Sequence, residues 1–331
     1  MIHFVTKNDR EPMNAAPQFA VDLFAFWHED LFEVDSIDAL VALGATNPRL
    51  LWDRLLDMVV DAGISSIEVT FAPFDWRTGS AAYGSAAGFI AELDSRGLTV
   101  CGGYLAALEV PTALVPERRG ELLEGARAYA EFLSLAGATA LIGSAPLRST
   151  RGSAHNIPVD LSMVQRLSEP FHQIGAIARQ AGLSFGLHTE SHSAMWLERD
   201  IDLFMLATDP FYVGLCPDAA HITLGGGDAV AVAERHIDRL VSSHWKDSTG
   251  TISWDLTLDQ SVHVAHREFC GVPGTGIVDW TGWTDVMTRA GLTDPILLEV
   301  DAIATPVSEI RAAIQYLLPI VSPAALPAPV H

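Results

Sequence analysis

Cysteine and positive charge are both scarce in this chain. Three cysteines stand among 331 residues, at 101, 216 and 270, and none is spaced C-x-x-C. That excludes a disulfide framework and a cysteine-built zinc site, and it reads as buried, reduced thiols. Lys and Arg number 20 against 41 Asp and Glu, for a net charge of −21. A surface of that sign repels phosphate backbones and anionic headgroups, so neither nucleic acid nor membrane is an expected partner. It does not oppose a cation or a neutral, hydroxyl-rich ligand. No apolar run reaches the roughly 18 residues of a transmembrane helix, and the opening MIHFVTKNDREP carries charge where a secretory core is apolar. The expectation is a soluble, cytoplasmic protein. Three motifs are also missing. G-x-G-x-x-G does not follow the first strand, the Gly-rich GGGD at 225–228 lacks a G-K-[ST] ending, and GSA at 143–145 is no nucleophile elbow.

What is present is a large apolar fraction, 49%, enough to bury a sizeable core. Short β-rich runs alternate with longer helical stretches, the signature of parallel α/β units. The expected strands are 18–26, 66–71, 99–105, 139–144, 184–190, 211–217, 239–244 and 295–300. Eight such units close into a single-domain (β/α)8 TIM barrel. The expected division is an N-terminal extension over 1–17, the barrel over 18–318 and a Pro/Ala-rich tail over 319–331. Helix edges are legible. Asn47-Pro48 opens a helix that stops near Gly63, Pro116-Glu117 opens one ending near Gly137, and Asp228 caps 229–237. A stripe from Leu161 to Ile177 marks a core-facing helix over 160–181, and the last helix spans 306–318.

Four runs in the second half each end on a metal-capable residue: SFGLHTE at Glu190, FYVGLCPD at Asp218, RLVSSH at His244 and PILLE at Glu299. In a closed parallel barrel, strand ends of one polarity meet at one rim. Taken singly, each reads as a helix cap or a solvated rim group. Together they give three carboxylates and one imidazole, a donor set that suits one divalent cation, Mn²⁺ first and Mg²⁺ or Co²⁺ next, better than structural zinc.

Other signals surround this set. D-A-A-H places His221 three residues after Asp218, as a further ligand, a support for a ligand, a substrate contact or a satisfied turn residue. In HWKD, His244 points inward, Trp245 toward the helical layer and Lys246 inward again. Lys246 either polarises a substrate carbonyl or pairs with a ligating carboxylate, and Asp247 orients one of its neighbours. Glu68 alternates with Ile67 and Val69, so it faces the interior and needs a partner such as Lys246, Arg148 or a water. Trp27 and Trp76 follow the first two strands and could stack on a sugar or an aryl ring. Arg267 and His188 are candidate substrate contacts, while Arg148 and Arg151 read better as solvated loop residues. Histidines crowd the presumed rim at 28, 155, 188, 192, 221, 263 and 266. Two long connections, 145–159 and about 248–279, follow strands and so sit on that rim as lids or binding loops.

HTE at 188–190, CPDAAH at 216–221, HWKD at 244–247, EF…PGTGIVDW across 268–280 and LLEVD at 297–301 occur in order. In that ordered set, from about residue 18 to 318, the chain resembles the sugar isomerase/epimerase superfamily of xylose-isomerase-like barrels, which includes tagatose epimerases and inosose dehydratases. The resemblance implies a barrel enzyme holding one divalent ion through Glu190, Asp218, His244 and Glu299. It also implies Glu190 and Glu299 as an acid/base pair that enolises a sugar or keto-sugar next to its carbonyl. The crowd of histidines departs from the epimerase pattern. The chain is also similar to the large subunit of C-glycoside deglycosidases, which implies Mn²⁺, a small second subunit and a lyase that cleaves the sugar–aglycone carbon bond of 3-keto C-glycosides through an enolate, with His155 as the base. An oligomer is expected in either case. Two further readings are a non-catalytic sugar-binding barrel and a metal-dependent nuclease of the same superfamily fold. The −21 charge opposes the nuclease.

Overall fold

Phe19–Asp22, the first strand (β1), pairs in parallel with Ser66–Val69 (β2) on one side and with Ile296–Leu298 (β9) on the other. In this computed structural model, residues 17–148, 159–253, 256, 262–293 and 295–322 are described. The sheet continues from β2 through Thr99–Tyr104 (β3), Ala140–Ser144 (β4) and Ser184–His188 (β5) to Gly214–Cys216 (β6), every pairing parallel. Its seven strands run in the order β6-β5-β4-β3-β2-β1-β9. Residues 240–245 join the two edges through parallel bridges, Leu215 to Leu240, Asp218 to His244 and Trp245 to Leu298. The barrel is therefore closed. Asp247–Ser248 (β7) and Cys270–Gly271 (β8) form a separate antiparallel pair beyond the rim.

Three strand expectations shift, each for a local reason. The run 18–26 stops being a strand at Asp22, whose Oδ1 accepts a hydrogen bond from Phe24 N at 2.7 Å and starts a 3₁₀ turn over Leu23–Phe26. The run 211–217 becomes a strand only at Gly214. The run 239–244 is held by isolated bridges rather than a regular ladder. A side chain at Gly214 would meet Val241 Cγ1 at 2.4 Å and Arg239 O at 2.7 Å, so the glycine is what lets this segment lie against β6.

The helices fall where their edges indicate. Asn47 caps Pro48–Asp61 by accepting from Leu50 N, and Gly63 leaves it at φ +84°. Asp160 caps Leu161–Gln180, and Asp228 caps Ala229–Arg235. Pro116 opens a 3₁₀ turn that runs into the helix Arg119–Leu135. The last helix, Pro306–Val321, runs past the expected end. Trp245 is fully buried in the helical layer, stacked on Trp280 with ring centroids 5.5 Å apart. Burying a ring of this size stabilises the closure by roughly 2–3 kcal/mol. Among the described residues, no helix is long and apolar enough to cross a membrane.

Candidate metal centre

The strand ends deliver the site. Glu190 follows β5 by two residues, Asp218 follows β6 by two, and Glu299 follows β9 by one. His244 lies beside Asp218 through their parallel bridge. Ligand atoms of His188, Asp218, His244 and Glu299 all lie within 4.8 Å of one another, and all four residues are buried. Glu190 belongs to an adjoining group with His188 and His221. His188 is the common member: its ring nitrogens lie 3.7 Å from Glu190 Oε2, 3.8 Å from Asp218 Oδ2 and 3.6 Å from Glu299 Oε2. Of the four ligands expected from the sequence, three are in one group and the fourth reaches it across His188.

Hydrogen bonds orient these groups from behind. Glu68 Oε2 lies 2.9 Å from His244 Nε2, which leaves Nδ1 facing Glu299 Oε2 in close contact. The side chain that partners Glu68 is thus His244, not Lys246 or Arg148. Lys246, fully buried, donates to Glu299 Oε1 at 2.5 Å, to Asp301 Oδ1 at 3.0 Å and to His221 Nε2 at 2.7 Å. On its other side, His221 Nδ1 lies 2.7 Å from Ser191 Oγ. His221 Nε2 also lies 3.2 Å from Glu190 Oε2. Lys246 is an ion-pair partner of carboxylates, tying the end of β9 to the HWKD segment.

Charges follow from this packing. Burial alone would raise the Glu190 carboxyl, but His221, Lys246 and His188 outweigh it and hold it well below the usual carboxylate range. Glu299 is likewise held well below, burial being overcome by Lys246 and His244. Burial would lower His188, yet Asp218 and Glu299 prevail and bring it up to about 9. Without a cation, a proton on His188 offsets part of this negative charge, and a bound cation would take that proton's place. No hydrogen bond reaches His188 Nε2 or Asp218 Oδ2, although both atoms are buried. Buried, oriented oxygen and nitrogen donors with unused lone pairs fit a divalent cation.

A pocket opens over this centre. Its lining includes His188, Glu190, His244, Glu299 and Asp301 together with Asp22, Thr70, Tyr104 and Glu109. Phe24, Trp27 and Phe71 form an aromatic wall, with Trp27 and Phe71 edge to face at 5.0 Å. Trp76 does not take part. It begins the helix Trp76–Ala82 and stacks on Phe132 at 5.4 Å and on Tyr129 at 6.3 Å, in the helical layer. Arg267 ends the helix Val262–Arg267, half-buried and outside the pocket lining. His155 and Arg151 lie outside the described residues, as does the side chain of His263. His192 and His266 pair with each other, Nδ1 to Nε2 at 2.9 Å, and His266 Nδ1 lies 3.8 Å from Glu190 Oε1. Arg148 is not a solvated loop residue. It grips Asp200 Oδ2 at 2.5 Å and the carbonyls of Ser193 and Ala194, fixing the segment after Glu190. Asp247 accepts from Gly274 N, Val278 N and Trp280 Nε1, which folds the GVPGTG turn rather than orienting a neighbour in the site.

Asp22, Tyr104, Ser144 and Glu109 belong to the site without having been singled out. Asp22 ends the run FAVD and carries the same signal as the four runs of the second half. Burial, Glu68 and Glu299 hold its carboxyl well above the ordinary range. Ser144, the last residue of β4, is bonded to His188 Nδ1 at 3.1 Å.

Comparison with known proteins agrees with this geometry. The family model described as xylose isomerase-like TIM barrel matches residues 56–320, and the chain belongs to that family. An inosose dehydratase of Halalkalibacterium halodurans is 26% identical over 237 residues, which span 68% of this chain and 76% of that protein. Two solved structures superpose over nearly the whole chain. One is an L-ribulose 3-epimerase, at 15% identity and TM-score 0.63, covering 93% of this chain and 95% of the other. The second is IOLI protein with a bound zinc atom, at 13% identity and TM-score 0.64, covering 92% and 98%.

Proposed function

From its place among the xylose isomerase-like barrels, we propose that this protein is a divalent-metal-dependent enzyme that enolises a keto-sugar or keto-cyclitol. The observation that carries this reading is the convergence of His188, Asp218, His244 and Glu299 within 4.8 Å, with His188, His244 and Glu299 lining an aromatic-walled pocket. The names of the relatives, an inosose dehydratase and a ribulose epimerase, support the substrate class.

In this reading Glu190, Asp218, His244 and Glu299 hold one cation, Mn²⁺ first. When bound it supplies Lewis-acid stabilisation of the charge that develops on the substrate oxygens, worth several kcal/mol. The protein's own groups do the rest. Glu190, ionised and braced by His221, is placed to take a proton from the carbon beside the carbonyl. Glu299 is its partner for returning a proton. His188 lies between the carboxylates and contacts the substrate. Lys246 donates to Glu299 and Asp301 and holds both in place. Phe24, Trp27 and Phe71 cover one side of the pocket, stacking on the substrate and excluding water.

The aromatic wall favours a second reading at the same site, in which the enolate expels an aryl group and the enzyme is a C–C lyase on 3-keto C-glycosides. Incubation of the Mn²⁺-loaded protein in D2O with an inosose, a free ketose and a 3-keto C-glycoside separates the readings. Deuterium in recovered ketone or a dehydrated product supports the first, and released aglycone supports the second. Retention of these activities in Asp218→Asn contradicts both.

A further inference from the structure

Enolisation explains the carboxylates at the cation, but two further acids lining the pocket, buried Asp22 and partly exposed Glu109, have no part in it. Glu109 closes the 3₁₀ turn Ala106–Leu108 that follows β3, so it stands on the same rim as the other strand-end groups. It lines the same pocket as Glu190 and Glu299 and belongs to none of the candidate ligand groups. Its Oε1 accepts a short hydrogen bond from the hydroxyl of Tyr104, the last residue of β3. The Tyr104 ring is packed edge-on against His188, centroids 5.5 Å apart, so the phenol is fixed. With Oε1 occupied as an acceptor, Oε2 is left to carry a proton.

We propose that Glu109 is the general acid of this site, a catalytic residue that protonates the oxygen leaving from the carbon β to the substrate carbonyl, with Tyr104 as its positioning residue. This rests on the enolisation reading. It deepens that reading by naming the substrate class: a ketone with a β-hydroxyl, converted by elimination of water.

The bookkeeping closes without another reactant. Glu190 takes the proton from the α-carbon, and the C–H electron pair becomes the enolate. The enolate pair then forms the carbon–carbon double bond as the β-carbon–oxygen bond breaks, its electrons staying on oxygen. That oxygen takes the Glu109 proton and departs as water. Glu109 is left as carboxylate and Glu190 as acid, and one proton passing through solvent restores both.

The environment of Glu109 agrees with this role: burial, with Glu190 next, brings its carboxyl up to about 7. The Tyr104 phenol is raised well above its ordinary range by burial and by Glu109, so it remains a donor.

The test uses the full-length, Mn²⁺-loaded protein with an inosose in D2O. Exchange at the α-carbon is followed by NMR, and the conjugated product by ultraviolet absorbance. Glu109→Gln is expected to lose roughly 100- to 10,000-fold in elimination, the range typical of a general acid, with α-exchange retained within about 3-fold. Glu109→Asp recovers part of the elimination. Tyr104→Phe lowers elimination but not exchange, whereas a residue with only a structural role would lower both. Elimination retained in Glu109→Gln, or both steps lost together in a variant that stays folded, overturns this assignment alone. Absence of exchange in the wild-type protein overturns the enolisation reading and this assignment with it.

Discussion

Glu68 and His244, 176 residues apart in sequence, meet inside the barrel with Oε2 2.9 Å from Nε2. Glu68 is wholly inaccessible and His244 almost so. The carboxylate fixes the ring so that Nδ1 is presented to the cluster with Glu299 and Asp218. An imidazole held this way is a stronger and better-aimed donor than one free to rotate. Glu68→Gln is expected to weaken Mn²⁺ binding on the order of 10- to 100-fold, read by competition with a metallochromic chelator. Unchanged affinity would show that Glu68 does not serve the cation site.

The Glu109 carboxyl makes stability depend on pH with a definite sign. Its value rises from 4.5 to about 7 in the folded, metal-free protein, with burial as the main cause and Glu190 next. The folded state thus holds this proton more tightly than the unfolded one. The contribution is fully present below about 4.5 and is lost as pH climbs through about 7. Removing the acid removes the loss. Thermal midpoints of metal-free wild type and Glu109→Gln, compared at pH 5 and pH 8, are expected to shift in favour of the variant by a few degrees at the higher pH, at about 2–4 °C per kcal/mol. A difference that does not change with pH would refute the assignment of the raised group.

Arg148 and Asp200 form a nearly dry ion pair, 2.5 Å between Nη2 and Oδ2, with Asp200 2% and Arg148 17% exposed at the side chain. Arg148→Met leaves a buried carboxylate facing Arg199 alone. Loss of one partner of a buried pair costs about 3–5 kcal/mol, and the partial exposure of Arg148 puts this case near the low end. Chemical denaturation is the measurement. Recovery of most of the loss in Arg148→Met combined with Asp200→Leu is expected, since the stranded charge is then gone. An unaltered midpoint for the single variant would mean that Arg148 is solvated after all.

The pattern of strand ends was readable from the chain because a barrel rim imposes it. Each of SFGLHTE, FYVGLCPD, RLVSSH and PILLE delivers its last residue to one mouth whatever the helices between them do. Trp245 and Lys246 likewise obey simple alternation, one to the helical layer and one to the interior. What could not be read was pairwise geometry. Glu68 announced that it needed a partner, but only closure of the barrel selects His244 over Lys246. Trp76 and Trp27 look alike in sequence, yet one starts a helix and stacks outward while the other stays on a 3₁₀ turn beside the pocket. Glu109 was invisible because its neighbours form a short turn with neither strand nor helix period. The place of His188 between three carboxylates depends on rotamers that no periodicity encodes.

The central claim is that one divalent cation is held jointly by strand-end groups at this mouth. The direct measurement is elemental analysis of protein purified without added chelator, repeated for Asp218→Asn and His244→Gln after loading with Mn²⁺ and desalting. About one equivalent of divalent metal in the wild-type protein, and almost none in either folded variant, is the expected result. A wild-type protein that carries no divalent metal and takes up no Mn²⁺, or variants that retain a full equivalent, would contradict the account.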